Sequence, residues 1–567
     1  MNDQIETADR SSHNHLFHLK VFLPLYALFI LLVVWWKLSA GMYFQASDGV
    51  YYMGVARDIA TGKGYYARAI APVQLPGKPA QTPPFRWAGI TNKPLYLFLE
   101  AGVFKIFGAT TDVAFFTSFF FYAVTGLAIF ALVLRLWGPV AAWTSVLLLQ
   151  TSDEIMFLST TNHVDTAYIF LVTMAILLTF PVDGKRAWMA GALIALVCLT
   201  RPNGIVLAFT LSALVVLMQL VSRDAFRPRI RRLAVFLLPV ILANAYMFGY
   251  NHVNYGGILR YYDLGGSEFR PSEKGTEDPG AKAISDVGNK DSSLFQVIER
   301  SGAVAKLLAD RSYKMSMGLF DLDPYRTTIF ALGLLWPLIW LRERDLRLAI
   351  MAVLGAYIIQ MIVTSNLPNV LRSHVWMDPM FCVAAGVMIR DIVRMAMTWR
   401  AKYARTALLT LIGALLLSAV MATSGRYVLK TLEPHRLEAY GAQKEWLASM
   451  DSLEPILPKG SVLVAPGTIN VMMAWRLPEL GVSLEDLGEF ETLLLAADKL
   501  RTDNFFHVTS VPPDVFVGRE GECRYNGYAE AAPYAKLFFQ NRFFCMYQLD
   551  VKAIRADFAG RIANLEG

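Results

Sequence analysis

The chain has 567 residues, of which 55% belong to the AVILMFWYC set and only 17% are charged, with a net charge of +7 and a mean hydropathy of +0.39. So apolar a chain excludes intrinsic disorder, and the gathering of its apolar residues into long blocks excludes an ordinary soluble protein. The basic excess sits beside those blocks rather than in a stripe interleaved with aromatics, so it calls for a lipid bilayer as partner and no nucleic acid.

A membrane span needs roughly 20 mostly apolar residues, and residues 21–40 form the first. Trp35, Trp36 and Lys37 occupy the stretch where a signal peptide would need small cleavage-site residues, so this block reads as a retained anchor. Residues 49–60 then read as an amphipathic helix in the membrane interface, with Asp48 as its N-cap. A cap alone accounts for Asp48; a carboxylate held at the membrane surface also suits a general base toward an acceptor hydroxyl. A second interfacial helix starts at Pro94, because proline fits the first helical position. Lys93 stands beside its positive end, an arrangement suited to an anion, although a lysine reaching for lipid headgroups explains it equally well.

Further apolar blocks cover residues 113–134, 139–149, 166–181, 187–199, 204–221, 233–250, 327–341, 348–363, 375–389 and 406–421, which predicts about eleven spans. Three basic clusters mark cytoplasmic loops: Arg223 to Arg232, Arg342 to Arg347, and Arg390 to Arg405. The alternate loops are poor in Lys and Arg; residues 152–164 have none, and Arg372 is alone in 365–374. This topology puts the N-terminus in the cytoplasm and everything after about residue 424 outside, and the expected location is the cell inner (plasma) membrane, with which the lack of any Asn-X-Ser/Thr sequon is compatible. The long segments 41–111 and 251–325 then also lie outside, where rigidly mounted loops tend to carry function. Residues 265–291, rich in Gly, Ser and charge, read as a loop over such a site.

On that outer side Asp165 opens the block at 166–181, Arg201 interrupts two blocks, and Arg372 and His374 add positive charge. Each is explained singly as a cap or an anchor; together with Asp48 they favour a polar site, since charge near hydrocarbon is costly. Asp321 and Asp323 have the oxygen ligands a divalent ion takes, but a solvated loop or a cap explains an Asp-Leu-Asp pair as well, and no metal or other cofactor is inferred. Two domains result: a transmembrane domain over 1–424 and an extracytoplasmic soluble α/β domain over 425–567. The second shows a β-like run at 461–465, helical periodicity at 484–499, and turn signals at Val511-Pro512-Pro513-Asp514 and Arg524-Tyr525-Asn526-Gly527. Cys523 and Cys545 lie there and are free to bond in an oxidising compartment, whereas Cys198 and Cys382 sit in apolar blocks.

The order of these features resembles the GT-C glycosyltransferase superfamily, particularly its protein O-mannosyltransferase and aminoarabinose transferase branch. The resemblance rests on Asp48 followed by Tyr51, Tyr52 and Ala56, the Lys93-Pro94-Leu95 segment ending at Phe107-Gly108, Asp165, and the turn Thr200-Arg201-Pro202-Asn203-Gly204. It covers about the first 220 residues by motif and the later spans by topology. It implies a polytopic α-helical membrane enzyme that takes a sugar from a polyprenyl-phosphate donor and passes it to an outer acceptor, whether glycan, lipid or protein. By the same resemblance Asp48 is the general base or acceptor-positioning carboxylate, Lys93 holds the donor phosphate, Arg201 and Arg372 contact phosphate or sugar, and Asp165 orients the acceptor or a basic partner. Many relatives carry Lys-Pro-Pro and Asp-Glu where this chain has Lys93-Pro94-Leu95 and Asp48-Gly49, so the identities of donor and acceptor do not carry over. The rival class is a transporter or lipid flippase; against it stand the outer placement of the charges, the lack of an inverted repeat and the large outer loops.

Overall fold

The structure is a computed structural model that describes residues 2–40, 47–70, 81, 83, 87–88, 94–179, 186–201, 204–221, 226–255, 328, 331–333, 335–336, 344–363, 375–398, 402–431, 445, 448–477, 479–486, 490–510, 525, 527–541 and 543–566. In chain order the first half contains α1 (Asn2–Ala40), α2 (Ser47–Ala60), β1 (Tyr66–Ala67), β2 (Ala69–Ile70), β3 (Trp87–Ala88), α3 (Pro94–Phe107), α4 (Thr111–Trp137), α5 (Pro139–Gln150), α6 (Asp153–Thr160), α7 (Asp165–Thr179), α8 (Ala187–Thr200), α9 (Gly204–Val221) and α10 (Phe226–Tyr255). The second half adds α11 (Arg344–Val363), α12 (Asp378–Met397), α13 (Lys402–Val420), α14 (Arg426–Thr431), β4 (Val462–Pro466), α15 (Gly467–Arg476), β5 (Val482–Asp486), α16 (Phe490–Lys499), β6 (Phe505–Ser510), β7 (Ala535–Gln540), β8 (Phe544–Leu549), α17 (Val551–Asp557) and α18 (Ala559–Glu566). These elements divide into two compact units: Met1–Ala40, Asn92–Tyr96 and Ser118–Glu433 in one, and Gly41–Thr91, Leu97–Thr117 and Pro434–Gly567 in the other.

The first unit is helical because hydrocarbon offers its backbone no hydrogen-bond partners, and a helix satisfies them internally. Among the described residues four stretches are long and apolar enough to cross a bilayer: Leu16–Ser39, Thr111–Trp137, Ile230–Tyr250 and Lys402–Val420. The protein is an integral membrane protein, and shorter apolar helices such as Pro139–Gln150 and Ala187–Thr200 fill out the bundle. Small residues let its helices touch backbone to backbone. A Cβ on Gly191 of α8 would lie 2.2 Å from the Phe236 carbonyl oxygen of α10, and one on Gly386 of α12 would lie 2.7 Å from the Ala141 carbonyl oxygen of α5. The block expected at 327–341 falls mostly outside the described residues. The segment 152–164, read from sequence as a bare outer loop, holds α6. Ser152 caps that helix by accepting from the Ile155 N–H, and Asp153 and Glu154 occupy its positive first turn.

The second unit is built on a six-stranded sheet in the order β2-β5-β4-β6-β8-β7. β2, β5, β4 and β6 run parallel, and β8 is antiparallel to both β6 and β7. Period-two alternation sends successive side chains of β4 to opposite faces. Leu463 and Ala465 join a core with Trp475, Phe506 and Val508, while Val462 and Val464 join another with Leu484, Leu493 and Phe505. The helical periodicity expected over 484–499 is only partly realised: residues up to Asp486 belong to β5, and the helix starts at Phe490. Leu484 fits a helical stripe and a buried strand equally well, and pairing beside β4 decides for the strand.

The same sheet takes in residues far from the tail. Ala69 and Ile70 pair with Ser483 and Leu484. The helix expected from residue 49 begins at Ser47, which makes Asp48 its second residue rather than the residue before it. Its apolar stripe, read from sequence as facing lipid, instead places Val50, Met53 and Ala56 in the core with Phe104, Leu463 and Trp475. An i, i+3, i+6 stripe only demands an apolar partner, and the sheet-bearing unit supplies one. Cys545 of β8 is disulfide-bonded, whereas Cys198 and Cys382 are buried and not part of a disulfide; Cys523, Val511 to Asp514 and Arg524 lie outside the described residues.

Candidate active site

In the helical unit the polar side chains concentrate around the turn between α6 and α7. Two threonines close α6 by folding back on its last turn: Thr160 Oγ1 donates to the Met156 carbonyl at 2.9 Å and Thr161 Oγ1 to the Phe157 carbonyl at 2.8 Å. Asn162 then adopts φ 56°, alone among the described non-glycine residues in taking a positive φ. Asparagine tolerates this left-handed conformation better than most side chains. The turn redirects the chain so that His163 and Asp165 follow within three residues. Thr166 Oγ1 donates back to the His163 carbonyl at 3.0 Å, securing the start of α7.

Every polar side chain here is buried. Asn162, His163 and Asp165 expose 2% or less. A bare carboxylate at such a depth would cost several kcal/mol, so it needs partners. Arg201 donates from a guanidinium nitrogen to one Asp165 oxygen, and His163 Nδ1 lies 3.6 Å from the other. The N-terminal end of α7 adds its partial positive charge. Arg201 itself caps the C-terminal end of α8, where partial negative charge favours a cation, and stands 5.8 Å from the centre of the Tyr168 ring. Its position depends on a tight turn. The Gly204 N–H donates to the Arg201 carbonyl at 2.9 Å, and a Cβ at Gly204 would lie 2.2 Å from the Val197 carbonyl oxygen.

Three other elements hold the same turn. Lys37 Nζ, near the end of α1, donates to the Thr160 carbonyl at 2.7 Å. Ser118 Oγ of α4 donates to the Ser159 carbonyl at 2.7 Å. Tyr96 of α3 donates its hydroxyl to Asn162 Oδ1 at 2.5 Å. Breaking a buried ion pair is costly, yet such a pair adds little net stability over apolar packing. A buried Asp165–Arg201 pair in an apolar bundle is therefore poorly explained by stability alone, and a paired acid and base at the start of an apolar helix can bind an anion or orient a hydroxyl.

The structure thus brings together two of the five residues singled out in the sequence, Asp165 and Arg201. Asp48 belongs to α2 of the other unit. Lys93 and Arg372 lie outside the described residues, as do His374, Asp321, Asp323 and residues 265–291. Among the described residues no group of three or more His, Cys, Asp or Glu side chains gathers as metal ligands do. Sequence reading missed Asn162, His163, Tyr96 and Lys37. Asn162 and His163 lie directly before Asp165, and their polarity at the head of an apolar block was the available signal.

A second buried carboxylate, Asp58, lies in the sheet-bearing unit. Arg68 Nε donates to its Oδ2 at 2.5 Å, and Arg57 approaches its Oδ1 at 3.4 Å. Both arginines also hold main chain: Arg57 donates to the carbonyls of Trp475 and Ala474, and Arg68 to that of Leu480 at 2.7 Å. Arg57 also stands 5.3 Å from the centre of the Trp475 ring. Burial pushes the Arg57 guanidinium below its ordinary pKa, and the Asp58 carboxylate opposes that shift.

Residues 91–247 match the family model described as dolichyl-phosphate-mannose-protein mannosyltransferase. No curated protein matches the chain. Among solved structures, ArnT from Cupriavidus metallidurans bound to undecaprenyl phosphate is similar in fold, with a TM-score of 0.52 and 14% identity over 93% of this chain and 97% of that one. The Archaeoglobus fulgidus oligosaccharyltransferase in complex with zinc and sulfate gives 0.51 and 12%, over 82% of this chain and 64% of its own length. The archaeal oligosaccharyltransferase AglB from the same organism, in complex with an inhibitory peptide and a dolichol-phosphate, gives 0.51 and 11%, over 86% and 69%. The fold is GT-C-like, and the resemblance read in the sequence now rests on a family-model match and on the fold.

Proposed function

We propose that the protein is a glycosyltransferase of the GT-C type, which moves a sugar from a polyprenyl-phosphate-linked donor to a hydroxyl of an extracytoplasmic glycan, lipid or protein. The observation that carries this reading is the buried pair of Asp165, at the start of α7, with Arg201, at the end of α8, inside the segment that matches a lipid-phosphate-dependent mannosyltransferase family. The relatives bound to undecaprenyl phosphate and to a dolichol-phosphate support the same class of donor.

The chemistry needs three things from the chain. A carboxylate, assigned to Asp48, accepts the proton of the attacking hydroxyl. As the sugar carbon leaves the phosphate oxygen, negative charge grows on the lipid phosphate, and Lys93, Arg201 and Arg372 are assigned to stabilise it. Asp165 holds Arg201 in place and orients the acceptor side of the reaction. The bond to the acceptor oxygen forms as the bond to the phosphate oxygen breaks, so one in-line displacement inverts the sugar carbon. Because basic side chains neutralise the leaving phosphate, the reaction is assigned no metal or other cofactor, and turnover should survive EDTA.

The setting follows from the same reading. The enzyme lies in the inner (plasma) membrane, with the N-terminus in the cytoplasm and the sheet-bearing unit outside. The disulfide at Cys545 fits an oxidising compartment. The test is donor turnover by the protein purified in detergent, supplied with polyprenyl-phosphate hexoses and pentoses and a membrane glycan extract. Wild type should release polyprenyl phosphate, and Asp48→Asn and Lys93→Ala should lose that activity while remaining folded. If no lipid-linked donor is consumed, or both variants match wild type, the assignment fails.

A further inference from the structure

Asn162 stands where two parts of the proposed site meet. Through its backbone it forms the left-handed corner that delivers Asp165 to the start of α7, and through its side chain it accepts the Tyr96 hydroxyl at 2.5 Å. Tyr96 is the third residue of α3, whose first residue, Pro94, directly follows Lys93 in the chain. One hydrogen bond therefore ties the head of the helix that Lys93 precedes to the turn that carries Asp165. Tyr96 and Asn162 are both fully buried, so water does not compete for the bond and its geometry is held.

We infer that the Tyr96–Asn162 hydrogen bond is a strut that sets the spacing between the head of α3 and Asp165, and that Tyr96 is thereby a positioning residue for the transfer reaction. The inference rests on the transferase reading, in which Lys93 holds the donor phosphate and Asp165 orients Arg201 and the acceptor side. Misplacing reacting groups by about 1 Å costs on the order of 100-fold in rate. A strut of this kind acts on the approach of donor to acceptor rather than on the grip on the donor, so its loss falls on kcat.

Asn162 also gives the inference a control. Glycine accepts a positive φ without steric strain, so Asn162→Gly keeps the corner and removes the side chain that accepts the Tyr96 hydroxyl. If Asn162 served the backbone turn alone, that variant would be neutral.

The experiment is a double-mutant cycle on the full-length protein in detergent, using Tyr96→Phe, Asn162→Gly and both together. It measures kcat and KM for a polyprenyl-phosphate sugar, the Kd for undecaprenyl phosphate and the thermal midpoint. The expected result is a loss in kcat of about tenfold or more in each single variant, with KM and Kd within about twofold of wild type, and a double variant no worse than the poorer single. The inference is overturned if either single variant keeps kcat within twofold of wild type, if the two losses multiply, or if KM and Kd rise while kcat holds. Should Tyr96→Phe fail to fold, Asn162→Gly alone decides between a side-chain strut and a backbone corner. If wild type binds no undecaprenyl phosphate and turns over no donor, the transferase reading fails and the inference with it; a working wild type with unaffected variants removes the inference alone.

Discussion

Asp58 and Asp165 are both buried carboxylates held by arginine, yet they are held in different ways. The arginines of Asp58 reach past it to the main-chain carbonyls of Trp475, Ala474 and Leu480, more than 400 residues away in sequence. That cluster fastens α2 to the end of α15, and the segment before β2 to the chain between α15 and β5, joining distant parts of one fold. Asp165 is paired instead with side chains from the ends of neighbouring helices, His163 before α7 and Arg201 after α8. A carboxylate whose partners grip backbone is suited to holding a fold; one whose partners are side chains in an apolar bundle is suited to meeting a ligand.

The comparison predicts which change does what. Asp58→Ala leaves two arginines buried without their carboxylate and should destabilise the sheet-bearing unit by about 3–5 kcal/mol. Chemical unfolding followed by protease resistance of residues 434–567 measures this, and a loss under about 1 kcal/mol would mean that the cluster is not a latch. Arg201→Met leaves Asp165 without its cation and should lower donor turnover per folded molecule by about 100-fold or more. Unchanged turnover would make Arg201 an anchor only.

Smaller effects sharpen the same contrast. Arg57→Lys keeps the charge but loses the fork that reaches two carbonyls, and should cost about 1–2 kcal/mol in the same unfolding assay. Glu479, which pairs with Lys63 at 3.4 Å, is half exposed. Glu479→Gln should therefore change stability by no more than about 0.5 kcal/mol, and less at high salt. The nearby Lys63 holds the Glu479 carboxyl below its ordinary 4.5. The contribution of the pair is therefore full above that value and disappears as the pH falls through the lowered pKa. A stability gain on acidification that disappears in Glu479→Gln would contradict this sign.

The membrane anchor and most apolar helices were legible because hydrocarbon leaves the backbone no other choice. The pairing of Asp165 with Arg201 was half legible: both stood out as charges beside apolar blocks, but nothing in their spacing of 36 residues shows that α7 and α8 bring them together. Tyr96 and Asn162 were not legible, since a neutral tyrosine in an apolar stripe looks like core and an asparagine before a helix looks like a cap. Sheet membership failed for a different reason. The two-residue strand at Ala69 is specified by its pairing with β5, about 400 residues later, and no local pattern announces such a partner.

The most direct test of the account is polyprenyl phosphate released per folded molecule by wild type, Asp165→Asn and Asp58→Asn, with the folded fraction fixed by protease resistance. The account predicts that Asp165→Asn loses turnover by about 100-fold while folded, and that the folded molecules of Asp58→Asn keep it within about threefold of wild type. Equal losses per folded molecule, or full turnover in Asp165→Asn, would contradict it.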